Sequence, residues 1–189
     1  MNKAVFLDRD GVINEDTGYV FKTEDFRFKD GLFDFCKAAQ EKGYLLFIAT
    51  NQSGIARGYY SESDFLFLTN WMLGRFVERG VNINKLYYCP YHPDGIGKYK
   101  RESLDRKPNP GMLFSARNEF NLDMRRSVLI GDKNSDMEAG RRAGVGSLFF
   151  LKGVYDHSQG DDVKVVYSFF EVQKFLRSNG ANRIASNCQ

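Results

Sequence analysis

Short apolar runs without alternation recur along this chain, at 4–7, 44–49, 85–88, 127–130 and 147–151, with a weaker one at 163–166. Each is cut off by polar residues or glycine. Runs of this length read as strands covered on both faces of a parallel sheet. Between them the apolar spacing turns helical. Leu32, Phe35, Cys36 and Ala39 share one face of a segment over 32–42 that Gly43 ends. Ser61 is a good N-cap for a helix over 62–79, with Phe65, Leu68, Trp71 and Met72 as its core stripe. Further helices are predicted over 112–120, 137–143 and 169–176. Strands alternating with helices, without repeats, predict an α/β chain of three layers around a mainly parallel central sheet. Residues 1–178 make one domain, and the polar stretch 179–189 is expected to be a flexible tail.

The chemistry gathers where the strands end. The first run stops at Asp8-Arg9-Asp10-Gly11, so two carboxylates meet at one strand's carboxyl end, the edge where open α/β sheets bind ligands. Taken alone, an Asp-x-Asp pair is ordinarily a solvated loop. Two close carboxylates repel, and a hard divalent cation is the natural neutraliser. The second run ends at Thr50-Asn51-Gln52-Ser53-Gly54, small hydroxyl and amide groups that suit an oxyanion or, equally, an ordinary polar turn. Arg106-Lys107-Pro108 holds two cations at a rigid corner. The fourth run ends at Gly131-Asp132-Lys133, with Asp136 close behind. The polar and aromatic stretch 15–29 reads as a loop or small β-flap whose Tyr19, Phe21, Phe26 and Phe28 could cover such a site.

Composition narrows the picture. The 189 residues carry 27 basic and 24 acidic side chains, for a net charge of +3. That balance does not suggest a dedicated nucleic-acid binder. The chain has neither an apolar run long enough to span a bilayer nor a signal-peptide core, so a cytoplasmic protein free of membrane is expected. Three scattered cysteines, Cys36, Cys89 and Cys188, form no disulfide framework. Cys36 reads as a core residue. A monomer is the simplest assembly.

Four motifs in order, FLDRDGVIN (6–14), ATN (49–51), RKP (106–108) and GDKNSD (131–136), resemble those of the haloacid dehalogenase-like (HAD) phosphatase superfamily. DTGYV (16–20), TNQSGIARG (50–58), CPYHP (89–93) and RKPNPGM (106–112) are similar to the D-glycero-D-manno-heptose 1,7-bisphosphate 7-phosphatase family. The resemblance spans roughly residues 3–151. It implies a HAD-like, Rossmann-like fold and a phosphoric monoester hydrolase acting on a phosphosugar. Asp8 would be the nucleophile and Asp10 the general acid and base. Mg²⁺ would be held by Asp8, the main-chain carbonyl of Asp10 and Asp132. Thr50 and Lys107 would stabilise the transferring phosphoryl group. Asp16, Thr17, Gly18, Tyr19, Thr50, Asn51, Gln52 and Ser53 would line the substrate, with Arg106, Lys107 and Lys133 contacting it. Asp136 would orient Lys133 or the metal's waters.

The chain also departs from that family. Many members hold a structural zinc before the RKP motif through Cys-x-His and Cys-x-Cys pairs. Here those positions read Cys89, Tyr91, Ser103 and Asp105, so no zinc is expected. The loop would then rest on prolines and on Tyr87, Tyr88, Tyr91 and Tyr99. His92 and His157 read as surface or packing residues. Lys98, Lys100, Arg101, Arg106 and Arg57 are candidates for a second phosphate, against the plain reading of solvated cations. The spacing leaves no room for a large cap domain. Other readings are histidinol-phosphate phosphatase, a non-catalytic sugar-phosphate binder and, more remotely, a nucleic-acid 3′-phosphatase.

Overall fold

The computed structural model describes residues 1–153 and 160–181. Six strands, β1 (Lys3–Leu7), β2 (Tyr44–Asn51), β3 (Lys85–Cys89), β4 (Val128–Gly131), β5 (Ser147–Leu151) and β6 (Val163–Val166), form one sheet in the order β3-β2-β1-β4-β5-β6. Every pairing is parallel. The helices are α1 (Leu32–Glu41), α2 (Ser53–Ala56), α3 (Glu62–Glu78), α4 (Gly111–Phe120), α5 (Asn134–Ala143) and α6 (Phe169–Ala181).

The apolar runs have no alternation because both faces of the sheet are covered. Val5, Leu7, Leu46, Ile48 and Ile130 point to one face and pack with α1, α3 and α6. Ala4, Phe6, Phe47, Leu129 and Phe150 point to the other and pack with α4 and α5. Complete burial of one such side chain stabilises by roughly 1.5–3 kcal/mol. A core of this size can therefore carry the buried charged side chains Asp8, Arg9, Lys107, Asp132 and Asp136.

The strand order reverses between β1 and β4, and a ligand crevice is expected at the carboxyl ends flanking such a reversal. β1 runs into Asp8 and β4 into Asp132. The register Phe6↔Leu129 and Leu7↔Ile130 brings those two ends level.

Several boundaries differ from the pattern. β2 extends through Thr50 and Asn51, because both still pair with β3, at Tyr88 and Cys89. α6 continues to Ala181, five residues past the predicted end at Leu176. Most of the predicted tail, 182–189, with Cys188 and His157, lies outside the described residues. The stretch 15–29 does fold back as a small flap, with Glu15 N–H donating to Arg27 O (2.9 Å) and Lys29 N–H to Ile13 O (2.9 Å). Only part of it faces the site. Phe26 is buried against Trp71, and Phe28 packs on Phe33 and Trp71. These two rings fill the core around Trp71 in the middle of α3 and do not cover the crevice.

Candidate active site

Asp8 sits immediately after β1 and is almost wholly buried. Its Oδ1 accepts the N–H of Arg9 at 2.7 Å and lies 2.9 Å from Lys107 Nζ. Lys107 Nζ also reaches Asp136 Oδ1 at 2.6 Å and donates to Ala49 O at 2.7 Å. The ammonium thus ties together the ends of β1 and β2 and the start of α5. Burial works against its charge, but Asp136 and Asp8 outweigh that and raise its pKa. Asp132, at the end of β4, completes a group: oxygens of Asp8, Asp132 and Asp136 lie within 4.8 Å of one another. Burial pushes Asp8 up to about 6, with Lys107 opposing and Asp136 adding. Burial and then Asp8 push Asp132 up to about 8. Asp132 Oδ1 is buried with no hydrogen-bond partner. A hard, oxygen-only donor set with an orphaned carboxylate oxygen fits Mg²⁺. Gly11, at φ 88°, makes room for it, since a Cβ there would run into the Asp132 carboxylate.

Asp10 turns away from this group. Arg9 Nε and Nη2 donate to its Oδ1 at 3.1 and 2.8 Å, and Nη2 also reaches Oδ2 at 2.8 Å. Asn14 Nδ2 donates to Oδ1 at 3.1 Å and Gln52 Nε2 to Oδ2 at 3.1 Å. Burial opposes the charge, yet Arg9, Asn14 and Gln52 outweigh it and hold the carboxyl below its usual range. Arg9 itself is 1% exposed and also donates to Val20 O in the flap at 2.7 Å. The motif spelled Arg9 out, but its role needed the folded flap to be seen.

Beside Asp10 lies a cavity of about 220 Å³, lined by Asp10, Asp16, Gly18, Tyr19, Asn51, Ser53, Gly54, Tyr60 and Lys133. Six of the expected substrate residues therefore meet there: Asp16, Gly18, Tyr19, Asn51, Ser53 and Lys133. Lys133 Nζ reaches Asp16 Oδ2 at 3.1 Å, which closes the wall between flap and α5. Tyr19 packs edge-on to Tyr59 at 4.6 Å. Thr17 is exposed and outside the lining. Gln52 is buried behind the cavity, where its amide serves Asp10, Thr50 Oγ1 (2.9 Å) and Tyr60. Tyr60 was not legible as a site residue, because nothing in the sequence ties it to Gln52. Asp136 Oδ2 accepts the main-chain N–H of Lys133 at 3.0 Å, and the same side chain joins the carboxylate group.

The basic corner lies beyond. Arg106 Nη1 donates to Tyr91 O at 3.4 Å. Arg57 Nη2 faces His92 Nε2 at 3.3 Å, and its Nε is buried without a partner. Burial, then Arg106 and Arg57, lower the His92 pKa. The loop is braced by aromatic residues. Tyr88 and Tyr99 each donate to Glu62, both at 2.7 Å, and Arg101 lies 3.7 Å over the Tyr91 ring. Cys89 is buried, and its Sγ–H donates to the carbonyl of Tyr91 at 3.9 Å, with the Ser103 side chain also beside it.

A family profile described as HAD-hydrolase-like matches residues 104–169. A Burkholderia mallei protein named D-glycero-alpha-D-manno-heptose-1,7-bisphosphate 7-phosphatase is 55% identical over 151 residues, covering 79% of this chain and 80% of its own. A Vibrio cholerae protein named for the beta anomer is 53% identical over 150 residues, covering 79% and 81%. A Campylobacter jejuni relative, named for the alpha anomer, is 47% identical over 175 residues, covering 93% and 96%. Among solved structures, a HAD-like phosphatase from Mesorhizobium loti superposes with TM-score 0.84 at 35% identity, covering 93% of this chain and 85% of that one. A D,D-heptose 1,7-bisphosphate phosphatase from B. bronchiseptica, complexed with magnesium and phosphate, gives TM-score 0.81 at 23% identity over 94% and 99%. At that identity the likeness speaks for the fold.

Proposed function

The chain belongs to the HAD-superfamily heptose bisphosphate phosphatases, and on that premise we propose that it removes the 7-phosphate of D-glycero-D-manno-heptose 1,7-bisphosphate. It is a phosphoric monoester hydrolase. The observation that carries the assignment is the buried Asp8 carboxylate, held 2.9 Å from Lys107 Nζ beside the orphaned Asp132 oxygen.

Asp8, Asp132 and the main-chain carbonyl of Asp10 would hold Mg²⁺. When bound, the ion neutralises the carboxylates, keeps Asp8 ionised and shields it from the anionic phosphate. Asp8 then attacks phosphorus, and an O–P bond forms as the bond to the sugar O7 breaks. The electron pair leaves on O7, which takes a proton from Asp10. In the second half a water oxygen attacks phosphorus, Asp10 takes its proton, and the bond to Asp8 breaks. The ionised resting Asp10 suits this second half. A phosphate dianion arriving beside it opposes that ionised form and raises its affinity for the first proton. Lys107 and Thr50 face the equatorial oxygens, where charge spreads in a loose transition state.

The cavity between Asp16, Tyr19 and Ser53 suits the sugar. Arg106 and Arg57 suit the second phosphate: two guanidiniums lie near one another, with a buried Arg57 N–H that has no acceptor. The zinc that many relatives carry does not suit the donors here. Cys89 is a single buried thiol, and Tyr91, Ser103 and Asp105 offer no second sulfur or imidazole. Metal analysis of untagged protein should find no stoichiometric zinc; one equivalent would contradict this. The cytoplasm suits the substrate, and no helix of the described residues is long and apolar enough to cross a membrane.

The assignment is tested by incubating the protein with Mg²⁺ and the bisphosphate and following both phosphorus signals by NMR. The 7-phosphate should disappear and the anomeric phosphate persist. Loss of the anomeric phosphate first would overturn the regiochemistry.

A further inference from the structure

Gln52 makes a fork between Asp10, the group assigned to the leaving oxygen, and Thr50, assigned to an equatorial oxygen. Its Nε2 donates to Asp10 Oδ2 at 3.1 Å and to Thr50 Oγ1 at 2.9 Å. Its Oε1 accepts the hydroxyl proton of Tyr60 at 2.7 Å. Gln52 is 1% exposed and Tyr60 7% exposed, so the amide itself is shielded from solvent. Each end of the amide is therefore committed: the acceptor-only Asp10 carboxylate decides which way round it sits, and the Tyr60 hydroxyl holds its other end. With the amide reversed, Oε1 would face the Asp10 carboxylate, oxygen against oxygen.

Tyr60 is in turn fixed from two sides. Phe21 of the flap stacks on its ring at 5.2 Å and 14°. Gly54 lies so close that a Cβ there would meet the Tyr60 ring and hydroxyl. Tyr60 also lines the cavity beside Asp10. Contact from the flap can thus reach the acid–base group through a single side chain.

We infer that Tyr60 and Gln52 are positioning residues for the reaction: they aim the Asp10 carboxyl and the Thr50 hydroxyl and link both to the flap. The inference rests on the phosphatase reading and on Asp10 as the proton donor to the leaving alkoxide. No new bond is made by either residue. Their effect is on where Asp10 stands when the P–O bond breaks.

The consequence is a dependence on the leaving group. A sugar alkoxide needs the proton from Asp10, whereas 4-nitrophenolate is weakly basic and leaves with little help. General acid catalysis is worth on the order of 10²–10⁴-fold where the proton is needed. Tyr60→Phe deletes only one oxygen, and Gln52→Glu keeps the shape but replaces the donor with an acceptor. Both would be compared with wild type for kcat/KM on the sugar phosphate and on 4-nitrophenyl phosphate, with melting temperature as the fold control.

Tyr60→Phe should lower the sugar-phosphate value about tenfold, and Gln52→Glu about a hundredfold, while the aryl phosphate falls at least fivefold less in each case. Equal losses on both substrates would mean a merely structural role, and no loss on either would mean no role; each overturns the inference. If Gln52→Glu fails to fold, Tyr60→Phe alone decides it. The ratio can be read on any alkyl phosphate that the wild type hydrolyses. A wrong heptose assignment would therefore show as an inactive wild type on that sugar, not as an unchanged ratio.

Discussion

Asn51 clasps the main chain of Lys107 in both directions. Its Nδ2 donates to Lys107 O at 2.9 Å, and its Oδ1 accepts the Lys107 N–H at 3.0 Å. The last residue of β2 thereby fixes, across 56 positions, the loop that delivers the Lys107 ammonium to Asp8. The motif suggested a substrate contact for Asn51. It lines the cavity, and it also holds the lysine in place.

Asn51→Ala should therefore impair the chemical step more than substrate binding. A displacement of about 1 Å can cost on the order of 10²-fold in rate. We expect kcat to fall roughly ten- to a hundredfold with a smaller change in KM. Asn51→Asp should do no better, because its second oxygen would face the Lys107 carbonyl. Steady-state kinetics of both variants check this; full activity in Asn51→Asp would show the clasp to be dispensable.

Asp8→Asn should abolish turnover and leave the fold intact. The amide is close in shape but cannot attack phosphorus. Phosphate release should drop to background while the circular dichroism spectrum stays that of wild type. Retained activity would move the nucleophile elsewhere.

Metal-free protein should lose stability as the pH rises. Asp8, at about 6, and Asp132, at about 8, both titrate above the ordinary value of 3.8. Between about pH 4 and 8 the folded chain thus binds more protons than the unfolded one, so unfolding free energy falls with pH. Asp10 and His92, whose pKa values are lowered, act in the opposite sense; that of Asp10 is complete above its unfolded value, and the single His92 is outweighed by the two carboxylates. Tm in chelator should drop by several degrees across this window, at roughly 2–4 °C per kcal/mol for a chain of this size. Mg²⁺ should restore Tm, most at the alkaline end, because it binds the ionised carboxylates. A Tm in chelator that rises from pH 5 to 8 would contradict the buried-carboxylate account.

Arg106→Ala should raise KM for a bisphosphate more than for 4-nitrophenyl phosphate, which has no second anion to hold. Equal effects would remove its recognition role and leave Arg106 as a brace on Tyr91.

Much of this site could be read before folding. Asp8, Thr50, Lys107 and Asp132 stand at abrupt ends of apolar runs or beside prolines, and a parallel sheet must bring such ends to one edge. What stayed hidden depends on partners far apart in sequence. Arg9 gains its meaning only when the flap carbonyl of Val20 folds over it. Gln52 reads as a polar loop residue until Tyr60 closes behind it. Phe26 and Phe28 alternate like flap residues, but the gap beside Trp71 draws them into the core. The loss of the zinc ligands was legible, whereas the Glu62 bridge to Tyr88 and Tyr99 was not, because it joins three separate elements.

Substrate choice is decided by one panel of four phosphate esters. Phosphate release with Mg²⁺ would be measured on both anomers of D-glycero-D-manno-heptose 1,7-bisphosphate, beside histidinol phosphate and fructose 1,6-bisphosphate. The account predicts a kcat/KM for one heptose anomer at least about a hundredfold above the rest, a margin of roughly 2.7 kcal/mol in transition-state binding. Weak activity of similar size on all four would contradict it, and would mean that the loop carrying Arg106 reads a different phosphate ester.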